Sequence, residues 1–141
     1  MEADVYLYIY PMDSEIKSHN RLKNAAVLYL EEHGVRNAEE RVLSWNIMQN
    51  RYGKPYFEEA PWLHFSISHS GAYWACAVAD CPVGLDLQIR RKKYSFRIAE
   101  RFFHPDEKTY LLGNGDFYAV WTAKESYVKY TGTGIGEGFD R

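Results

Sequence analysis

Two short stretches of this chain hold the residues best suited to chemistry: Val83-Gly84-Leu85-Asp86-Leu87-Gln88 and Trp121-Thr122-Ala123-Lys124-Glu125-Ser126-Tyr127-Val128-Lys129. Read as a strand, the first sends Leu85, Leu87 and Ile89 to one face and Asp86 with Gln88 to the other. Read as a helix, the second puts Trp121, Glu125 and Lys129 in one row, an acid and a base one turn apart. Hard oxygen donors beside a lysine suit a hydrated divalent cation such as Mg²⁺ holding a phosphate chain. Taken singly, Asp86 is equally an exposed strand residue, and Glu125 with Lys129 a surface ion pair worth under about 1 kcal/mol.

Phe65-Ser66-Ile67-Ser68-His69-Ser70-Gly71 places hydroxyls, an imidazole and a flexible backbone at one turn, a setting that binds anions. It lacks the Gly-x-Ser-x-Gly elbow of a hydrolase, and neighbours such as Ser68 and His69 point apart on a strand. A polar hairpin turn with a satisfied histidine explains the stretch as well. Gly53-Lys54-Pro55 reads first as a turn. The glycine run from Gly132 to Gly138 reads as a mobile turn, since neither a feeding strand nor a following helix makes it a Walker-type loop.

The 141 residues suffice for one ordinary core, as one domain or two very small halves. Twelve Tyr, seven Phe and four Trp argue against disorder. A net charge of −2 gives no global reason to expect nucleic acid or an anionic membrane. No apolar run reaches the roughly twenty residues of a membrane span, which predicts a soluble, cytoplasmic protein. Cys76 and Cys81 match neither a redox nor a zinc spacing and read as buried, reduced thiols.

These residues need elements to carry them. Alternation predicts a strand over Asp4–Tyr10, ended by Pro11. Helical spacing of Leu22, Ala25, Ala26, Tyr29 and Leu30 predicts a helix from Glu15 to His33, stopped by Gly34. Asn37 with Glu40 suggests a capping box for a short helix through Leu43, and Ser44–Tyr52 is read as strand. A meander of three strands follows, Leu63–Ser68, Ala72–Ala79 and Val83–Ile89. Three helices come next, capped by Ser95, begun at Pro105 and capped by Asp116.

In order, the chain shows Tyr52-Gly53-Lys54-Pro55, Phe65-Ser66-Ile67-Ser68-His69-Ser70-Gly71, Val83-Gly84-Leu85-Asp86, Arg101-Phe102-Phe103 with Glu107, and Trp121-Thr122-Ala123-Lys124-Glu125-Ser126 with Lys129. Together these motifs resemble the 4′-phosphopantetheinyl transferases of the surfactin-synthetase type. The resemblance implies an α+β fold of two similar halves related by a pseudo-twofold axis, a complete one over 1–82 and a second over 83–141. It also implies Mg²⁺-dependent transfer of the phosphopantetheine arm of coenzyme A to a serine of an acyl or peptidyl carrier protein. By that resemblance Asp86 and Glu125 hold Mg²⁺, with Gln88 where the type has a further acid, and Lys129 contacts the phosphates. Lys54, Ser68 and His69 fall where the nucleotide end is gripped, and Arg21 aligns loosely with a contact to the 3′-phosphate. Glu125, or a metal-bound water, removes the serine proton, with Glu107 as an assistant. Coenzyme A is expected between the halves. The carrier is expected beside Ser95–Gly113, where the Arg90, Arg91, Lys92 and Lys93 run meets an acidic partner or serves only as a solvated turn.

Two departures qualify this. Gln88 brings an oxygen but no charge. Enzymes of this type also continue beyond the last helix, so the second half is expected to be incomplete: a truncated product, a homodimer supplying the missing surface, or one chain of two. A rival expectation is a derived module that binds coenzyme A or a carrier without turnover.

Overall fold

The structure is a computed structural model that describes residues 4–13, 15–90, 96–113 and 115–132. Its first part runs β1 (Tyr6–Pro11), α1 (Ser18–Glu32), α2 (Ala38–Leu43), β2 (Ile47–Gln49), β3 (Pro55–Phe57), β4 (His64–Ser70) and β5 (Tyr73–Ala79). Three helices follow: α3 (Phe96–Phe102), α4 (Pro105–Leu112) and α5 (Phe117–Thr131). The expected α+β class is what is seen. An antiparallel sheet is ordered β1-β5-β4, and β2 pairs with β3 in a small ribbon.

One face of the sheet takes α1. Leu22, Ala25, Tyr29 and Leu30 meet Phe65, Trp74 and Val78 in the main core, as the helical spacing predicts. β1 turns its tyrosines to this core and leaves Leu7 and Ile9 more than half exposed. Period-two alternation fixes two faces but not which one is covered. Here the tyrosines lie opposite Val78, Cys76 and Trp74 on the α1 side. The opposite sheet face presents Ala77 and Ala79, which pack with Val83 and Leu85.

Several local expectations need correction. Val83–Ile89 is extended but forms no strand, and among the described residues every strand lies before Asp80. Among the described residues, those after Asp80 form no sheet of their own. The cause lies in the hydrogen bonds of Val83–Ile89: alternate N–H groups of this segment donate to serine side chains of β4 instead of backbone carbonyls. Leu85, Leu87 and Ile89 donate to the Oγ atoms of Ser66, Ser68 and Ser70 at 3.0, 2.9 and 2.9 Å.

Asn37 occupies the N-cap of α2 in a left-handed conformation (φ 56°) and makes no side-chain cap bond, so the expected capping box is absent. A capping box does form at α4, where the His104 side chain and Glu107 exchange bonds with the first turn. Asp116 caps α5 as expected, accepting from the N–H groups of Tyr118 and Ala119. The expected cap at Ser95 and the glycine run beyond Gly132 lie outside the described residues. Cys76 is buried, and burial pushes its thiol up to about 12. Cys81 is only half-buried, against expectation.

Candidate functional site

The site forms where the extended segment, the outer edge of β4 and α5 meet. Gly84 makes the approach possible. A Cβ there would lie 2.0 Å from the Ser126 carbonyl oxygen and 2.4 Å from the Tyr130 nitrogen, both helix backbone. Only a residue without a side chain lets the segment touch α5 this closely. Asp86, two residues on, thereby reaches the helix row that carries Glu125 and Lys129.

Lys129 Nζ lies 3.0 Å from Asp86 Oδ1 and donates also to the Ile67 carbonyl on the edge of β4, at 3.3 Å. Helical spacing alone pairs Lys129 with Glu125; the tertiary structure pairs it with Asp86. Ser68 Oγ lies 3.4 Å from Asp86 Oδ1 and equally far from the Leu87 carbonyl, either of which can accept its proton. Asp86 Oδ2 is buried and has no hydrogen-bond partner. Glu125 has its carboxyl pushed above the ordinary carboxylate range, first by burial and then by the Asp86 charge, with Lys129 acting in the other direction. Two carboxylates thus share one cation in a partly desolvated corner, an arrangement short of positive charge.

The remaining expected site residues are spread around this corner. Gln88 turns its amide nitrogen to the Ile89 carbonyl at 3.1 Å. Lys54 lines a cavity of about 250 Å³ with Pro55, Phe65, Val128 and Lys129. Ser68 and His69 separate to opposite sheet faces, as adjacent strand residues must. His69 shares a cross-strand row with Trp74 and Tyr10. Arg21 stacks its guanidinium over the Tyr10 ring at 5.2 Å and donates to the Pro11 carbonyl. Arg21 and His69 therefore share one rim, across the sheet from Ser68. Glu107 pairs with Lys124 at 2.7 Å and accepts from the His104 N–H. That commitment to holding α4 on α5 speaks against a proton-transfer role. Arg90 pairs with the Asp116 cap at 2.7 Å, while the other three members of the basic run lie outside the described residues.

Sequence reasoning passed over three groups. Lys124 is buried on α5 with its ammonium 5.7 Å from the centre of the Phe103 ring. Ser66 and Ser70 extend the hydroxyl row begun by Ser68, and alternation of serines on one strand face was the available signal. Asn50 organises the Lys54 turn, accepting from the N–H groups of Tyr52 and Lys54 at 2.9 Å each.

Residues 82–141, which carry Asp86, Glu125 and Lys129, match the family model described as the 4′-phosphopantetheinyl transferase superfamily. Over this segment the chain is similar to that superfamily. A 4′-phosphopantetheinyl transferase of Bacillus subtilis is 41% identical over 90 residues, 60% of this chain and 40% of the relative. The 4′-phosphopantetheinyl transferase Sfp of Bacillus subtilis strain 168 is 40% identical over the same shares. The gsp transferase of Aneurinibacillus migulanus is 39% identical over 93 residues, 62% of this chain and 38% of the relative. The chain thus spans about two fifths of the length of these curated relatives. Among the described residues no helix is long and apolar enough to cross a membrane.

Proposed function

We propose that this chain carries the Mg²⁺ and phosphate end of a site that transfers the phosphopantetheine arm of coenzyme A to a carrier-protein serine, releasing adenosine 3′,5′-bisphosphate. The observation that carries the reading is the meeting of Asp86, Glu125 and Lys129 from two distant segments, with one Asp86 oxygen buried and unpartnered. The donor set fits Mg²⁺. Among the described residues no group of three His, Cys, Asp or Glu side chains could hold a metal. Mg²⁺ does not require one, because it keeps several waters and is commonly held by one or two carboxylates plus substrate phosphates. Asp86 Oδ2 and Glu125 would be those carboxylates, with the Gln88 oxygen a neutral third donor.

When bound, the ion would neutralise charge developing on the pyrophosphate as the serine oxygen attacks phosphorus and the bisphosphate oxygen leaves. Lys129, which pairs with Asp86 in this structure, would be the cation that meets a phosphate oxygen. Glu125, its affinity for protons raised by burial, is suited to accept the serine proton. The cavity beside Lys54 and Lys129 suits the nucleotide end, and Arg21 with His69 supplies a separate basic rim for the 3′-phosphate.

The test is mass spectrometry of apo carrier proteins incubated with the chain, coenzyme A and Mg²⁺. A gain equal to one phosphopantetheine arm is expected; none across several carriers would defeat the reading. A second reading, binding without turnover, is favoured by Gln88, which replaces a charged ligand and already donates to Ile89. Calorimetry showing Mg²⁺-dependent coenzyme A binding, with no loading of any carrier, would select it.

A further inference from the structure

The ammonium of Lys54 is committed inside the protein. It donates to the carbonyl of Val83 at 3.1 Å, to that of Tyr130 at 3.5 Å, and to that of Lys129. Its three protons thus have three backbone acceptors. Asn50 adds a fourth contact, its Nδ2 donating to the Gly132 carbonyl at 3.2 Å. The carbonyls of Lys129, Tyr130 and Gly132 belong to the end of α5, where no helix partner remains and where a cation is favoured. Gly132 closes over these side chains in a left-handed conformation (φ 69°), and a Cβ there would stand 3.1 Å from Lys54 Cδ and 3.2 Å from Asn50 Nδ2. One cation therefore grips both components of the site: Val83, three residues before Asp86, and the helix turn that carries Lys129.

We propose that Lys54 and Asn50 form a latch on the C-terminal turn of α5, making Lys54 a positioning residue that sets Lys129 and Glu125 against Asp86. Burial lowers the pKa of Lys54, in keeping with an ammonium held by carbonyls away from water. The latch assigns the charge of the turn to the protein's own backbone, leaving the Lys54 stem to line the cavity. The kinetic part of the test rests on the transferase reading; the structural part does not.

The variant Lys54→Met keeps the stem and removes the ammonium. Amide exchange at Gly132, whose N–H bonds the Val128 carbonyl, should accelerate about tenfold or more, with β4 and β5 unchanged. Calorimetry should show Mg²⁺ binding weakened by at least about fivefold and adenosine 3′,5′-bisphosphate binding within about twofold of the parent. In carrier loading, kcat should fall while KM for coenzyme A holds. Unchanged exchange at Gly132 overturns the latch. Loss of bisphosphate affinity with unchanged exchange would instead make Lys54 a nucleotide contact. If the parent chain binds neither Mg²⁺ nor the bisphosphate, the transferase reading fails, and the exchange result still decides the latch. Should Lys54→Met not fold, Asn50→Asp decides: it keeps the oxygen that shapes the turn but loses the donor to Gly132, and must speed exchange there.

Discussion

Glu125 holds its proton to higher pH than an ordinary glutamate because ionising it costs hydration and adds charge beside Asp86. The stability it lends is therefore fully present below its ordinary value of 4.5 and lost as pH rises through its raised folded value. Without Mg²⁺, Glu125→Gln should accordingly unfold at a higher urea concentration than the parent at about pH 7.5, and the gap should close near about pH 4. Added Mg²⁺ should stabilise the parent more than the variant, since binding to the folded state alone raises stability. In carrier loading the same change should cost about a hundredfold or more, the usual scale for losing a proton acceptor. Ser68 tests the corner differently. Its hydroxyl accepts the Leu87 N–H and faces Asp86, so Ser68→Ala leaves a part-buried donor unpaired. Urea denaturation should show a loss of about 1–3 kcal/mol.

At the scale of elements, the site depends on an extended segment clamped between a serine row and a helix backbone. Gly84 is the tightest point, and its neighbours are backbone atoms that cannot swing aside. Gly84→Ala should cost about 2–3 kcal/mol or more in urea denaturation, from overpacking against α5. Mg²⁺ binding should weaken with it, because Asp86 moves when Gly84 does. A Gly84→Ala variant of parental stability would refute the close approach. The short helix α4 is held from two sides, by its capping box and by the Glu107–Lys124 pair, and so fixes one flank of α5.

At the scale of the whole molecule, the hydrophobic residues divide into separate clusters. The main core joins α1 and α2 to the sheet and the β2–β3 ribbon, whereas Ala99, Phe103, Leu111 and Phe117 form a smaller cluster among α3, α4 and α5. Among the described residues the smaller cluster has fewer buried apolar groups to lose, so it should open first. Native-state hydrogen exchange should show amides of α3 and α4 opening at lower free energy than those of β5 and α1. One common opening free energy for all of them would contradict this. Mg²⁺ should raise protection chiefly in α5, which carries Glu125 and Lys129.

The sequence by itself determined the long helices, the β4–β5 hairpin and the site's residue types. Their signals are local: apolar spacing in α1, the Asp116 cap of α5, and the turn at Ser70 and Gly71. Only the tertiary structure decided the rest, because the decisive partners lie far apart along the chain. The β1 alternation could not say that tyrosines face inward, nor could Val83–Ile89 reveal that serine hydroxyls would take its N–H groups in place of a neighbouring strand. Likewise Lys129 chose Asp86 over its helical neighbour Glu125, and Lys54 turned to the end of α5, since each part-buried cation settles on the nearest uncompensated oxygens that folding brings to it.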